Sequence, residues 1–213
     1  MSKTIPILFS TVMVKALLAG RKTMTRRIIN PQPEHIFAGT ANSFILQNST
    51  RQVGDTLYVR EAYYAFGVWV KNGLTKTGKQ KWRFIDTTKK NAAKHHFVAD
   101  GKPDHIALHT IRDGDERWYK RPSLFMPKSI ARIFLKITCV GVEKASDITH
   151  RDAISEGIEN EFDTYLDYRQ KEKLGSYYLS PVESFMSLWC TINGAETWDN
   201  WVFVYSFEET TKP

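Results

Sequence analysis

Cysteine is scarce, with two residues in a chain of 213. That excludes a disulfide framework and points to a reducing compartment. Acidic residues are outnumbered, 23 against 30 basic ones, which leaves a formal net charge of +7. A surface of that sign favours phosphate-bearing partners, although a modest excess equally serves solubility. No apolar run approaches the roughly 20 residues that a membrane-crossing helix needs. The opening residues carry one lysine and the short patch Ile5-Pro6-Ile7-Leu8-Phe9, and they lack the long apolar stretch and small-residue cleavage site of a secretory leader. A cytoplasmic protein without membrane contact is expected. The hydrophobic share of 42% excludes a wholly disordered chain.

Several familiar sites are missing as well. Gly20-Arg21-Lys22-Thr23 has the tail of a phosphate-binding loop but neither its earlier glycine nor a preceding strand. There is no dinucleotide fingerprint. His105 and His109 share helical spacing, but no glutamate follows the first and no thiols lie nearby, so neither a metal site nor a cofactor is expected. His95-His96 reads as surface, and Cys139 reads as part of a strand core.

What is present is mixed α and β, richer in strand. Ser10 or Thr11 can cap a helix whose apolar stripe is Met13, Val14, Leu17 and Leu18, and Gly20 suits its left-handed end. Leu57-Tyr58-Val59 follows a Gly54-Asp55 turn as a strand. Residues 71–115 are polar, with strand-like pieces at Trp82-Arg83-Phe84-Ile85 and His96-Phe97-Val98, and read as an excursion from one domain spanning 1–213. Ala131 to Val142 alternates as a strand, with Ile133, Leu135, Ile137 and Cys139 on one face. Thr149 caps a short helix, with Asp152 placed to reach back, and Gly157 stops it. Ser180-Pro181-Val182-Glu183 opens a third helix, striped by Val182, Phe185, Met186 and Trp189. The terminal strand, Trp201 to Phe207, is so continuously apolar that burial on both faces is expected. Strands without regular βαβ alternation favour an α+β fold, a small mixed β-barrel with helices packed on it.

Two groups of residues carry chemistry. In the first, Lys22, Thr25, Arg26 and Arg27 leave the end of the first helix together. A lysine beside other cations has its charged form disfavoured and can serve as a base towards a nearby hydroxyl. Positions three apart on an extended strand face opposite ways, so Lys22 and Thr25 share a site only if the chain turns between them. Glu156 ends its helix against the negative pole, a place that raises a carboxylate's affinity for protons. The plainer alternatives are a solvated or phosphate-holding loop and an ordinary exposed glutamate. In the second group, Trp118, Tyr119 and Phe125 offer stacking faces, and Lys120, Arg121, Lys128 and Arg132 offer phosphate partners. The alternative there is an apolar core with a solvated basic rim. Arg60 and Glu61 either join that cleft or pair with each other.

The run MVKALLAGRKTMTRR, Met13 to Arg27, resembles the opening signature of ASCH domains, which belong to the PUA-like barrel superfamily. GDTLYVREAYY (54–64), RPSLFMPKSIARIFLKITCVGVEKASDITHRDAISEGI (121–158), and ESFMSLWCTING through WDNWVFVYSFE resemble the longer ASCH-like proteins of phages and prophages. The resemblance covers nearly the whole chain except residues 71–115. It implies a PUA-like pseudo-barrel whose cleft accepts a nucleobase or nucleotide, with a nucleoside or nucleic acid (RNA or a modified DNA base) as partner.

Gly20 to Thr25 and Thr149 to Glu156 are similar to the N(4)-acetylcytidine amidohydrolase branch, which uses a lysine, a threonine and a glutamate. The matching positions are Lys22, Thr25 and Glu156. By that resemblance Thr25 attacks the acyl carbonyl, Lys22 activates it and Glu156 passes the proton to the leaving amine. Arg26, Arg27 or main-chain amides would stabilise the oxyanion. The substrate-binding set is then Arg21, Arg26, Arg27, Arg60, Glu61, Trp118, Arg121, Ser123, Phe125, Lys128 and Arg132. This chain is longer than that branch, and other ASCH proteins are considered RNA-binding modules or ribonucleases. The expected function is therefore a metal-independent amide hydrolase, with a non-catalytic RNA or modified-base reader, or a metal-independent ribonuclease, as alternatives.

Overall fold

The computed structural model describes residues 2–33, 46–107, 114–169 and 176–213. His109 and part of the 71–115 segment lie outside the described residues. In chain order the strands are β1 (Thr4–Leu8), β2 (Met24–Ile28), β3 (Thr56–Arg60), β4 (Tyr63–Leu74), β5 (Gln80–Asp86), β6 (His96–Phe97), β7 (Arg117–Arg121), β8 (Phe134–Lys144), β9 (Asn160–Glu161), β10 (Thr164–Leu166), β11 (Tyr177–Tyr178) and β12 (Trp201–Thr210). The helices used below are α1 (Thr11–Leu18), α2 (His150–Ser155) and α3 (Pro181–Asn193). The fold is mixed α+β and dominated by sheet. No helix among the described residues is long and apolar enough to cross a membrane.

The chain divides into two compact units. The first comprises Met1–Ile5, Lys15–Tyr58 and Ile133–Pro213; the second comprises Pro6–Val14 and Val59–Arg132. The 71–115 segment is thus part of the second unit, within its Val59–Arg132 piece. Its strand-like pieces fall in β5 and β6, which flank β4 in a four-stranded sheet that β7 completes.

A five-stranded sheet has the order β1-β3-β8-β12-β2, and β2, β8 and β12 lie wholly in the first unit. The long β8–β12 ladder runs from Trp201 opposite Lys144 to Thr210 opposite Phe134. Its register shifts where Ser206 faces Cys139 and Phe207 faces Ile137, so Thr138 is an extra residue. Such a bulge reverses which face the following side chains take. Leu135 and Ile137 are buried, whereas Cys139, expected in the core, is exposed. Alternation read from the sequence carries no sign of the inserted residue.

β12 has buried side chains on both faces, as expected: Val202 and Val204 on one, Tyr205 and Phe207 on the other, with Trp201, Phe203 and Ser206 half-buried.

α1 begins where Ser10 Oγ accepts from the Met13 amide at 3.4 Å. It ends at Gly20, whose φ of +69° lets the chain fold back so that the amides of Arg21 and Lys22 both donate to the Ala16 carbonyl. α3 opens on Pro181, yet Ser180 makes no side-chain cap; its backbone carbonyl accepts from Ser184 instead. Phe185, Leu188 and Trp189 form its buried stripe, and Met186, placed in that stripe by spacing, turns outward. Two serines take the remaining buried positions because each has a backbone partner. Ser184 Oγ donates to the Leu166 carbonyl at 2.7 Å, and Ser187 Oγ accepts from the Tyr168 amide at 2.9 Å. These bonds tie α3 to the small β9–β10–β11 sheet. Ser187→Ala leaves a buried amide unsatisfied and should lower stability by about 1–3 kcal/mol, measured by urea unfolding; a loss within error would show that another group takes the bond.

Candidate functional site

The first unit brings Lys22 and Glu156 together across 134 residues of sequence. Lys22 follows the Gly20 turn, and Glu156 is the C-cap of α2. α2 starts where Thr149 Oγ1 accepts from the Asp152 amide at 3.1 Å. The Asp152 carboxylate does not reach back to complete a capping box but faces Arg26 instead. Lys22 Nζ donates to Glu156 Oε2 at 2.6 Å, to the Glu156 carbonyl at 2.8 Å and to the Met24 carbonyl at 2.8 Å. Both residues are buried, at 3% exposure each.

The last of those bonds sets the Lys22 ammonium against the backbone next to Thr25. The Met24 carbonyl belongs to the peptide that joins Met24 to Thr25. The long lysine side chain therefore folds forward along the backbone, and the ammonium rests against the peptide that carries Thr25. Thr25 is buried on β2, opposite Tyr205 of β12.

Gly157 makes the approach of α2 to this loop geometrically feasible. Its φ is +86°, and a Cβ there would lie 2.7 Å from the Cβ atoms of both Ala16 and Lys22. The Thr23 amide bonds the Ser155 carbonyl at 2.9 Å, which fixes the same junction. Arg21 closes it from outside: its Nη1 donates to the carbonyls of Gly157 at 3.2 Å and Ile158 at 2.9 Å, past the C-terminus of α2.

Burial, the largest influence, pushes the Lys22 amine below its ordinary range. Glu156 opposes this by attraction, while Arg27 and Arg26 add repulsion. Arg27 is likewise lowered, first by burial and, beyond the opposing attraction of Glu156, by repulsion from Arg51.

β2 divides the basic residues between two faces. Met24 and Arg26 point to one side, and Thr25 and Arg27 to the other. Arg26 meets Glu143, Asp152 and Glu156. Thr25 and Arg27 sit opposite Tyr205 and Phe203 in the ladder, so these four share a face. That side holds a cavity of about 570 Å³ lined by Arg27, Arg51, Asn48, Phe203 and Tyr205 among others. The Phe203 and Tyr205 rings lie 5.9 Å apart, tilted by 35°. Tyr205 Oη is 2.8 Å from Ser49 Oγ, and the Arg51 guanidinium lies over the Tyr205 ring at 5.8 Å. Aromatic surface with two arginines suits a flat heterocycle bearing an acceptor or an anionic group. Sequence reading passed over Phe203, Tyr205, Ser49 and Arg51. The signal for the first two was there: aromatic rings recur at 201, 203 and 205, with valines between them.

The second unit holds the other residues singled out by sequence. Glu61 does not pair with Arg60. It is buried and takes Arg132 through both oxygens, at 2.8 and 3.0 Å. Arg132 also bonds Asp100 at 2.6 and 3.0 Å. Arg60 instead donates to the carbonyls of Met126, at 2.9 Å, and Leu124. Arg121 is buried with its guanidinium 4.3 Å from the Phe84 ring centre, 4.8 Å from Trp69 and 5.1 Å from Phe125. Ser123 and Phe125 belong to a single 3-10 turn, and Lys128 opens the next. Phe125 is exposed, and Trp118 packs edge-on against Phe66 and His96. Arg60, Arg121 and Arg132 therefore already have intramolecular partners, and Phe125 keeps an open ring.

No family model matches this chain, and no curated protein or solved structure matches it.

Two consequences follow for the Lys22 junction. Gly157→Ala should cost about 1–3 kcal/mol from the backbone conformation and more from the clash. Gly54→Ala, where φ is +90° but nothing lies within 4 Å, should cost less; equal losses in urea unfolding would remove the close approach as a constraint. A lysine held below its ordinary value of 10.5 binds fewer protons folded than unfolded, so its contribution to stability rises with pH in that window and is smallest beneath it. The stability of wild type relative to Lys22→Met should therefore increase between about pH 7 and about pH 10, and a falling difference would reverse the assigned shift.

Proposed function

We propose that this protein is a metal-independent amide hydrolase acting on an acylated cytosine or a related modified base or nucleoside. The observation that carries the proposal is the buried 2.6 Å contact between Lys22 Nζ and Glu156 Oε2, with the same ammonium on the peptide preceding Thr25. The resemblance to ASCH domains of the PUA-like barrel class, and to their amidohydrolase branch at Lys22, Thr25 and Glu156, supports it. The cavity beside Arg27, Phe203 and Tyr205 gives a flat base a place on the Thr25 face of β2.

In the proposed reaction the neutral Lys22 amine takes the Thr25 hydroxyl proton as Thr25 Oγ attacks the acyl carbonyl. The C–N bond then breaks, and Lys22 and Glu156 return a proton to the departing amine. Water hydrolyses the acyl-threonine ester, releasing a carboxylic acid and restoring the hydroxyl. A lysine whose proton affinity is lowered is suited to the first step. Arg27 is the nearest side-chain candidate on that face for the oxyanion, because Arg26 points to the other.

One observation favours a second reading. The Lys22 ammonium already has three acceptors, two from Glu156 and one from Met24, which is how a structural clamp is satisfied. In that reading the protein binds RNA or a modified base without reacting, and its charge of +7 supplies a salt-dependent affinity.

Incubation with N(4)-acetylcytidine and chromatographic detection of cytidine separates the two. The hydrolase reading expects turnover that persists in EDTA and is lost in Thr25→Ala, with wild-type unfolding behaviour retained. Absence of product from folded wild type across a panel of acylated cytosines, with salt-sensitive RNA binding, would replace it with the reader. RNA cleavage persisting in EDTA and lost in Lys22→Ala would identify a ribonuclease.

A further inference from the structure

We infer that Arg26 is a positioning residue for the Lys22–Glu156 pair, holding one oxygen of the Glu156 carboxylate so that the other faces Lys22. The inference rests on the acyl-transfer reading of this site and assigns Arg26 a role distinct from contact with substrate.

The Arg26 side chain has no solvent exposure and is met by three carboxylates from two elements. Glu143 on β8 takes Nε at 2.8 Å and Nη2 at 2.6 Å through the same oxygen. Asp152 on α2 lies 3.4 Å from Nη2, and Nη1 reaches Glu156 Oε1 at 3.3 Å. A guanidinium is a rigid planar fork. With its Nε–Nη2 edge fixed by Glu143, only the Nη1 side remains to present to Glu156. The Glu156 carboxylate is thus gripped from opposite sides, by Arg26 on Oε1 and by Lys22 on Oε2.

β2 makes this division of labour possible. Arg26 faces α2, while Arg27 lines the cavity with Phe203 and Tyr205, and the buried Thr25 shares their face of β2. A residue on the α2 side of the strand reaches the proton-handling carboxylate without entering the space for a base. The largest charged influences on the Lys22 amine are Glu156, which raises its hold on the proton, and then Arg27 and Arg26, which lower it. Removing Arg26 takes away the smaller repulsion but also loosens Glu156, the larger attraction, so a positioning role is the one in which the amine's hold on its proton falls.

The test follows Lys22 directly. Protein labelled with ¹³C-lysine is titrated by NMR, and the midpoint of the Lys22 ε-carbon signal is compared among wild type, Arg26→Lys, Arg26→Met and the pair Arg26→Met with Glu143→Gln. The pair removes one cation and one carboxylate together, so it stays charge-balanced if Arg26→Met alone fails to fold. Expected is a downward shift of the midpoint in the folded Met variants, with Arg26→Lys, which keeps the charge but not the fork, lying between them and wild type. With N(4)-acetylcytidine as substrate, kcat should fall by about 100-fold in the Met variants, while KM changes little and Arg26→Lys, which lacks the fork, restores only part of the rate. A Lys22 midpoint equal to or above that of wild type in a folded Met variant, whatever its stability, overturns the inference. If wild type hydrolyses no acylated cytosine, the proposed reaction fails while the NMR comparison still decides whether Arg26 governs the pair.

Discussion

Two cations and three carboxylates share the space between β2, β8 and α2, and most of their charge is out of water. Taking an ion out of water costs several kcal/mol even after relaxation, and a buried pair often does no better than the apolar side chains that could replace it. Stability alone is thus a poor reason to build the first unit around Lys22, Glu156 and Arg26. The cluster does give register. Lys22 reaches Glu156 only because α1 ends at Gly20, α2 ends at Gly157 and Arg21 closes the gap. Each of these local features would be unremarked without the charge pair they serve. A Cβ at 157 or a straighter exit from α1 would separate the amine from the carboxylate.

The second consequence of this arrangement is sidedness. A strand offers two faces, and β2 uses one for the buried charges and one for Thr25 and Arg27. The neighbouring strand continues the division, with Val202 and Val204 on one face and Phe203 and Tyr205 on the other, beside the cavity. The Lys22 ammonium bonds the Met24 carbonyl, on the backbone of the strand itself.

In the second unit, cations are used differently. Arg121 is enclosed by aromatic rings, Arg132 bridges Glu61 and Asp100, and Arg60 gathers the carbonyls of the 124–126 turn. A count of basic residues along 118–132 therefore overstates the free positive charge. Composition records which side chains exist; it does not record which have already found partners.

The helix of Ser10 to Gly20, the Thr149 cap, the stop at Gly157 and the strands around Leu57 and Leu135 were legible in sequence, because each depends on residues a few positions apart. So was the pairing of Lys22 with Glu156, through resemblance more than through spacing. Other features lay beyond local pattern. The extra residue at Thr138 exposes Cys139, and nothing in the alternation of β8 announces it, since a bulge is fixed by the partner strand. Arg26 and Arg27 are adjacent and chemically identical, yet one is ringed by carboxylates and the other lines a cavity. The sequence determined that a run of basic residues would follow the stop at Gly20; that Met24–Ile28 forms a strand was decided by pairing with β12. Which arginine met Glu143, Asp152 and Glu156 was decided when α2 packed on one face of the sheet and β8 took its place beyond β12, because burial and pairing of charge depend on residues more than a hundred positions away.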